Sequence, residues 1–129
     1  MNSKWQFEEF DAGPVSQSTD RIHVTISPKG CFYLNGRAIK ALDEPDAVVL
    51  FYDRRLQTIA MKRAPISKRN AYRLRPKDGE KVTSRILHAA NFCKHYNIKP
   101  SSTVAFLNPS VDDGLLILSL HEVATVNKK

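Results

Sequence analysis

The feature that most constrains how this chain can fold is a repeat. Pro28-Lys29-Gly30 is matched by Pro76-Lys77-Asp78-Gly79, Asp43-Glu44-Pro45 by Ile98-Lys99-Pro100, and the apolar run Val48 to Tyr52 by Val104 to Leu107, in the same order. Three anchors in one order are hard to obtain by chance. Neither copy, at roughly 45 residues, can bury its apolar strands alone, so the economical solution is one shared core with pseudo-twofold symmetry.

The pattern within each copy is strand, strand, helix, strand, strand. In the first, 22–63, Ile22, Val24 and Ile26 alternate with polar residues as a half-buried strand does. A turn at Pro28-Lys29-Gly30 leads to the strand Cys31 to Leu34, and Asn35 is placed to cap a short helix through Leu42. Ala38, Ile39 and Leu42 form its apolar face, and Pro45 ends it by disfavouring helical geometry in the residue before it. Ala47 to Tyr52 and Thr58 to Met61 then form a hairpin about Asp53-Arg54-Arg55. In the second copy, 71–120, the strands are Ala71 to Arg75, Thr83 to Leu87, Thr103 to Leu107 and Leu115 to Leu120. A helix spans Ala89 to Tyr96, and Asp112-Asp113-Gly114 is the last hairpin turn. The expected fold is therefore mainly β with short helices, two tandem β-β-α-β-β units forming one barrel. Residues 21–129 make a single domain, a basic linker spans 64–70, and residues 1–20, with Trp5, Phe7 and Phe10 set among acidic residues, read as a flexible arm.

Hydrophobic content of 42% and charged content of 26% fit a globular chain. The absence of a signal-peptide core and of an apolar run near 20 residues gives the expectation of a cytoplasmic protein without a membrane span. Cys31 and Cys93 show neither close pairing nor ligand spacing, and read as packed thiols in a reducing compartment.

The charge is concentrated. Residues 1–53 carry five Lys/Arg against eight Asp/Glu, residues 54–85 eleven against two, and residues 86–129 four against three. Such a central excess attracts polyanions, because neutralised phosphates release counterions. These residues do not lie on an amphipathic helix, which argues against a membrane surface.

The run Val24-Thr25-Ile26-Ser27-Pro28-Lys29-Gly30, followed by a strand, a short helix ending in leucine, a Pro-Asp turn and a β-hairpin, resembles the swapped-hairpin fold of the AbrB and SpoVT transition-state regulators. The tandem arrangement is similar to that of MraZ-like proteins, which carry both units in one chain. The resemblance implies a small interlaced barrel that binds DNA and regulates transcription. Cys31 stands where the family has arginine, and Asn35-Gly36 where it has proline. Binding is accordingly assigned to Lys29, Arg37, Lys68, Arg69, Arg73, Arg75, Lys77, Lys81 and Arg85, around the two equivalent turns and the linker.

No phosphate loop, nucleophile elbow or His-Glu-x-x-His motif is present, so the reading is of a non-enzyme without a cofactor. His88, Cys93 and His95 fall short of a four-ligand zinc set. Asp112 and Asp113 are explained by turn preference. Tyr33, Phe51, Tyr52 and Phe106 are expected in the core rather than as base-stacking platforms. The competing reading is a protein-interaction module that presents the barrel to an acidic partner. Either a monomeric pseudo-dimer or a homodimer fits the sequence.

Overall fold

The computed structural model describes residues 4–9, 21–76 and 83–126. Lys77, Lys81 and all but Pro76 of the expected turn Pro76-Lys77-Asp78-Gly79 lie outside them, as does most of the N-terminal arm. In chain order the elements are β1 (Val24–Ile26), β2 (Cys31–Leu34), α1 (Gly36–Ala41), β3 (Ala47–Asp53), β4 (Thr58–Ala64), β5 (Tyr72–Arg73), β6 (Arg75–Pro76), β7 (Arg85–His88), α2 (Ala90–Tyr96), β8 (Val104–Phe106), β9 (Ser110–Asp112), β10 (Leu115–Ser119) and β11 (Val123–Thr125). The fold is mainly β, as expected. One antiparallel sheet runs β11-β8-β1-β2-β7-β6 and the other β5-β3-β4-β10-β9.

Local chemistry accounts for most of these elements. Val24 and Ile26 are fully buried while Thr25 between them is half-buried, as strand alternation demands. Ser27 closes the next turn, its Oγ accepting from the amides of Lys29 and Cys31 at 3.3 and 3.2 Å, and Gly30 takes a left-handed φ of 80°. Asn35 caps α1 by accepting from the Ala38 amide at 3.0 Å. After Leu42 the backbone enters the left-handed region at Asp43 and Glu44, with φ of 67° and 51°, which ends the helix just before Pro45. At the last hairpin Asp113 and Gly114 both have positive φ, 53° and 78°, the two-residue turn that suits strand twist.

A single hydrophobic cluster joins both sheets and both helices. Val24, Ile26, Phe32, Leu34 and Leu87 come from the first sheet, Ile59, Met61, Leu116 and Leu118 from the second, all at 0% exposure. Ile39 and Leu42 close one side and Phe92 and Cys93 another. Each such side chain contributes about 1.5–3 kcal/mol on burial. Around α2, Tyr52 lies 4.8 Å from Tyr96 and Phe92 5.1 Å from it, ring centre to ring centre, tying the helix to β3.

The strand pairing crosses between the two halves of the chain. β3 pairs with β5 through Ala47↔Arg73 and Val48↔Tyr72, and β8 pairs with β1 through Thr25↔Ala105 and Ile26↔Val104. β2 pairs with β7 from Cys31↔His88 to Leu34↔Arg85, the first residue of each strand opposite the last of the other. β4 pairs with β10 from Thr58↔Ser119 to Lys62↔Leu115.

Several expectations need correction. The strand expected over 71–75 is divided at Leu74, which turns inward to 7% exposure and donates its amide to the Asp46 carbonyl at 3.0 Å. The expected third and fourth strands of the second copy do not pair with each other. Pro109, which has no amide to give a ladder, lies between β8 and β9. β10 pairs with β9, and β8 pairs with β11, a strand not anticipated. Phe51 is not core. It alternates with Leu50 and Tyr52, which pack against the core, and therefore faces outward at 47% exposure. Phe106 is buried, as expected, and Tyr52 is half-buried against the core, whereas Tyr33 is not core: it alternates with the buried Phe32 and Leu34 and lines a surface cleft. Among the described residues no helix is long and apolar enough to cross a membrane.

Candidate nucleic-acid interface

The described basic candidates do not form one patch: Lys29 and Arg85 lie toward opposite ends of the β2–β7 pair. Lys29 precedes Cys31, which faces His88, whereas residues 77–84 precede Arg85, which faces Leu34. Four residues of strand, about 13 Å, separate the two ends.

At the Leu34 end, basic side chains gather. A cleft of about 710 Å³ is lined by Arg37 and Lys40 of α1, Arg85 of β7, Tyr33, Leu74, and the acidic pair Glu44 and Asp46. Asn35 positions the helix that carries Arg37 and Lys40. Besides capping α1, its Oδ1 accepts from the His23 amide at 3.0 Å and its Nδ2 donates to the Arg21 carbonyl at 2.8 Å. Ala38 and Ile39 are buried, which leaves Arg37 and Lys40, one turn apart, exposed. Arg73 and Arg75 are exposed on either side of Leu74, which lines the cleft. Arg85 is half-buried, and its guanidinium donates to the Ser84 carbonyl at 2.9 Å.

Arg37 and Lys40 also line a second cleft, of about 600 Å³, with Arg21 and the segment Pro109 to Val111. Sequence reasoning missed Lys40 and Arg21. The spacing of Lys40 three residues after Arg37 was available as a signal; Arg21 is brought in only by the tertiary fold.

The remaining candidates lie elsewhere. Lys68 joins Lys62 and Arg63 in a cleft of about 430 Å³ beside Phe51. Arg69 lines another with Tyr72 and Asn91. Tyr72 donates from its hydroxyl to Asn91 at 2.8 Å, and burial, partly offset by that bond, pushes its hydroxyl above the usual value. Burial likewise pushes the Cys93 thiol up, consistent with a packed, protonated thiol. Among the described residues no three His, Cys, Asp or Glu side chains come together in a metal-binding group.

Comparison of the chain with family models, with curated proteins and with solved structures finds no match to any of them.

Proposed function

We propose that this chain is a cytoplasmic DNA-binding protein, a transcriptional regulator of AbrB-like type. Its two tandem units, 22–63 and 71–120, close one pseudo-twofold swapped-hairpin barrel. The observation that carries this reading is the exchange of strands. The third strand of each unit, β3 or β8, pairs with the first strand of the other, and the two seams β2–β7 and β4–β10 read alike from either strand. That is the pairing expected of interlaced units, with both on one chain.

The DNA-contacting residues in this reading are Arg37, Arg73, Arg75 and Arg85, with Lys40 and Arg21 added. Glu44 and Asp46 inside the first cleft repel phosphate, so the backbone of the duplex runs along the arginine rim rather than into the cleft. Lys29, at the other end of β2, makes a separate contact, and Lys77 and Lys81 follow Pro76 next to the rim in sequence.

The test is fluorescence anisotropy of a labelled duplex titrated with the protein across a salt series. The logarithm of affinity is expected to fall linearly with the logarithm of salt, by about 0.9 per phosphate neutralised. The double variant Arg73→Glu/Arg75→Glu is expected to abolish binding. Unchanged binding by that variant removes the rim assignment. Absence of binding at low salt removes the DNA reading and leaves the interaction-module reading in its place.

A further inference from the structure

The face of the five-stranded sheet turned away from the core carries an exposed aromatic ring, Phe51, among half-buried apolar neighbours. Phe51, Ala60 and Ile117 lie side by side across β3, β4 and β10, with Val49 and Leu115 in the neighbouring row. Phe51 is 47% exposed. Lys62 interrupts the neighbouring row, between Val49 and Leu115, and Lys62, Arg63 and Lys68 line the cleft of about 430 Å³ that Phe51 also lines. Pro65, Lys68 and Asn70 line that cleft beside β3. On its β5 side, β3 is paired only at Ala47 and Val48, so among the described residues its edge from Val49 to Asp53 has no strand beside it. An unpaired edge with an apolar neighbour is a template for an added strand.

The chain itself contains a segment of the matching chemistry. Trp5-Gln6-Phe7-Glu8-Glu9-Phe10 alternates so that Trp5 and Phe7 share one side of an extended chain. Their rings stack with centres 5.7 Å apart and planes 12° from parallel, at 61% and 87% exposure. Glu8 and Glu9 follow directly. An aromatic pair followed on the same side by Glu9, with Glu8 on the other, complements an apolar cleft rimmed by Lys62, Arg63 and Lys68.

We propose that the N-terminal segment of a second copy of this chain docks in this cleft, alongside the edge of β3 that no described strand pairs. Its aromatic rings would lie over Phe51, and Glu9, on the same side, against the basic rim. The exchange is reciprocal and gives a homodimer. The second copy is preferred because the chain's own Phe7 stands almost fully exposed rather than seated, and a stretch of eleven residues, the length of 10–20, can span at most roughly 40 Å. Four aromatic rings bury on the order of 600–1,000 Å², below the area of a standard stable interface, so the dimer is transient. This inference does not depend on DNA binding, and its test contains no DNA.

Trp5 is the sole tryptophan, so its emission reports this contact directly. Sedimentation equilibrium of the full chain, with Trp5 emission read across the same concentrations, is expected to show dimerisation in the micromolar range with a parallel blue shift. Glu8→Lys/Glu9→Lys and Lys62→Glu/Lys68→Glu should each weaken the dimer at least tenfold. Mixing the two variants should restore a heterodimer, since reversed arm then meets reversed rim at one seat and unaltered arm meets unaltered rim at the other. All four positions are exposed, and Phe51→Ser provides a further variant that weakens the seat without touching the core. A wild-type chain that stays monomeric overturns the proposal. So does a blue-shifted emission independent of concentration, which would place the arm on its own body, and so does a dimer indifferent to both charge reversals.

Discussion

Gly30 passes so close to Ala90 that a Cβ added to it would lie 2.8 Å from the Ala90 α-carbon. The contact fixes the first turn against the start of α2, where the Ala89 amide donates to the Gly30 carbonyl at 2.9 Å. Gly114 has nearly the same φ, but a Cβ there would meet nothing within 4 Å. The two glycines therefore separate backbone strain from close approach. Gly114→Ala is expected to cost about 1–2 kcal/mol from the left-handed conformation alone, and Gly30→Ala about 2–4 kcal/mol, because backbone atoms must also move. Urea denaturation of both variants checks the difference; equal costs would mean that the Ala90 contact yields freely.

Asn35 holds three backbone groups at once, the amides of Ala38 and His23 and the carbonyl of Arg21. Asn35→Ala is expected to destabilise the protein by about 2–4 kcal/mol, a lost cap plus newly unsatisfied buried groups. Asn35→Asp keeps an acceptor for the amides but loses the donor to Arg21, so its midpoint should fall between wild type and alanine. An aspartate variant as unstable as alanine would show that the Arg21 bond dominates.

The raised thiol of Cys93 makes stability fall on the alkaline side. Because the folded state favours the neutral thiol, the unfolded chain loses its proton first, near the ordinary value of about 8.5. The stabilisation is full below that pH and is lost as pH rises toward the folded value. Tyr72, raised mainly by burial, extends the decline above its ordinary value of about 10. Denaturant midpoints from pH 7 to 10 should decline in wild type and flatten between pH 8 and 9.5 in Cys93→Ala. An unchanged slope in the variant would remove Cys93 as the cause.

Cutting the chain within residues 65–70 tests the interlocked pairing. β3 lacks β5 and β4 lacks β10 in one half, while β8 lacks β1 in the other. Each half alone is expected to lack near-ultraviolet circular dichroism, and an equimolar mixture to regain it. A half that folds by itself would contradict the need for a shared core.

Much of this architecture was written in local chemistry. Alternation at Val24 to Ile26, the cap at Asn35, the left-handed residues before Pro45 and the Asp113-Gly114 turn follow from side-chain size, hydrogen-bonding groups and backbone sterics within a few residues. The candidate interface was legible in part. Arg37 and Arg85 line one cleft and Arg73 and Arg75 flank its Leu74, but Lys29, Lys68 and Arg69 do not line it, because sequence position says nothing about which end of a strand pair a residue occupies.

The sequence by itself determined the element types, most of their order and the concentration of basic charge, since these depend on neighbours along the chain. Only the tertiary structure decided that the 71–75 strand breaks at Leu74, that β8 joins β1 rather than β10, and that Phe51 faces outward. Strand pairing is chosen by which apolar faces can be buried together, and that choice depends on contacts between distant residues, which no local pattern encodes.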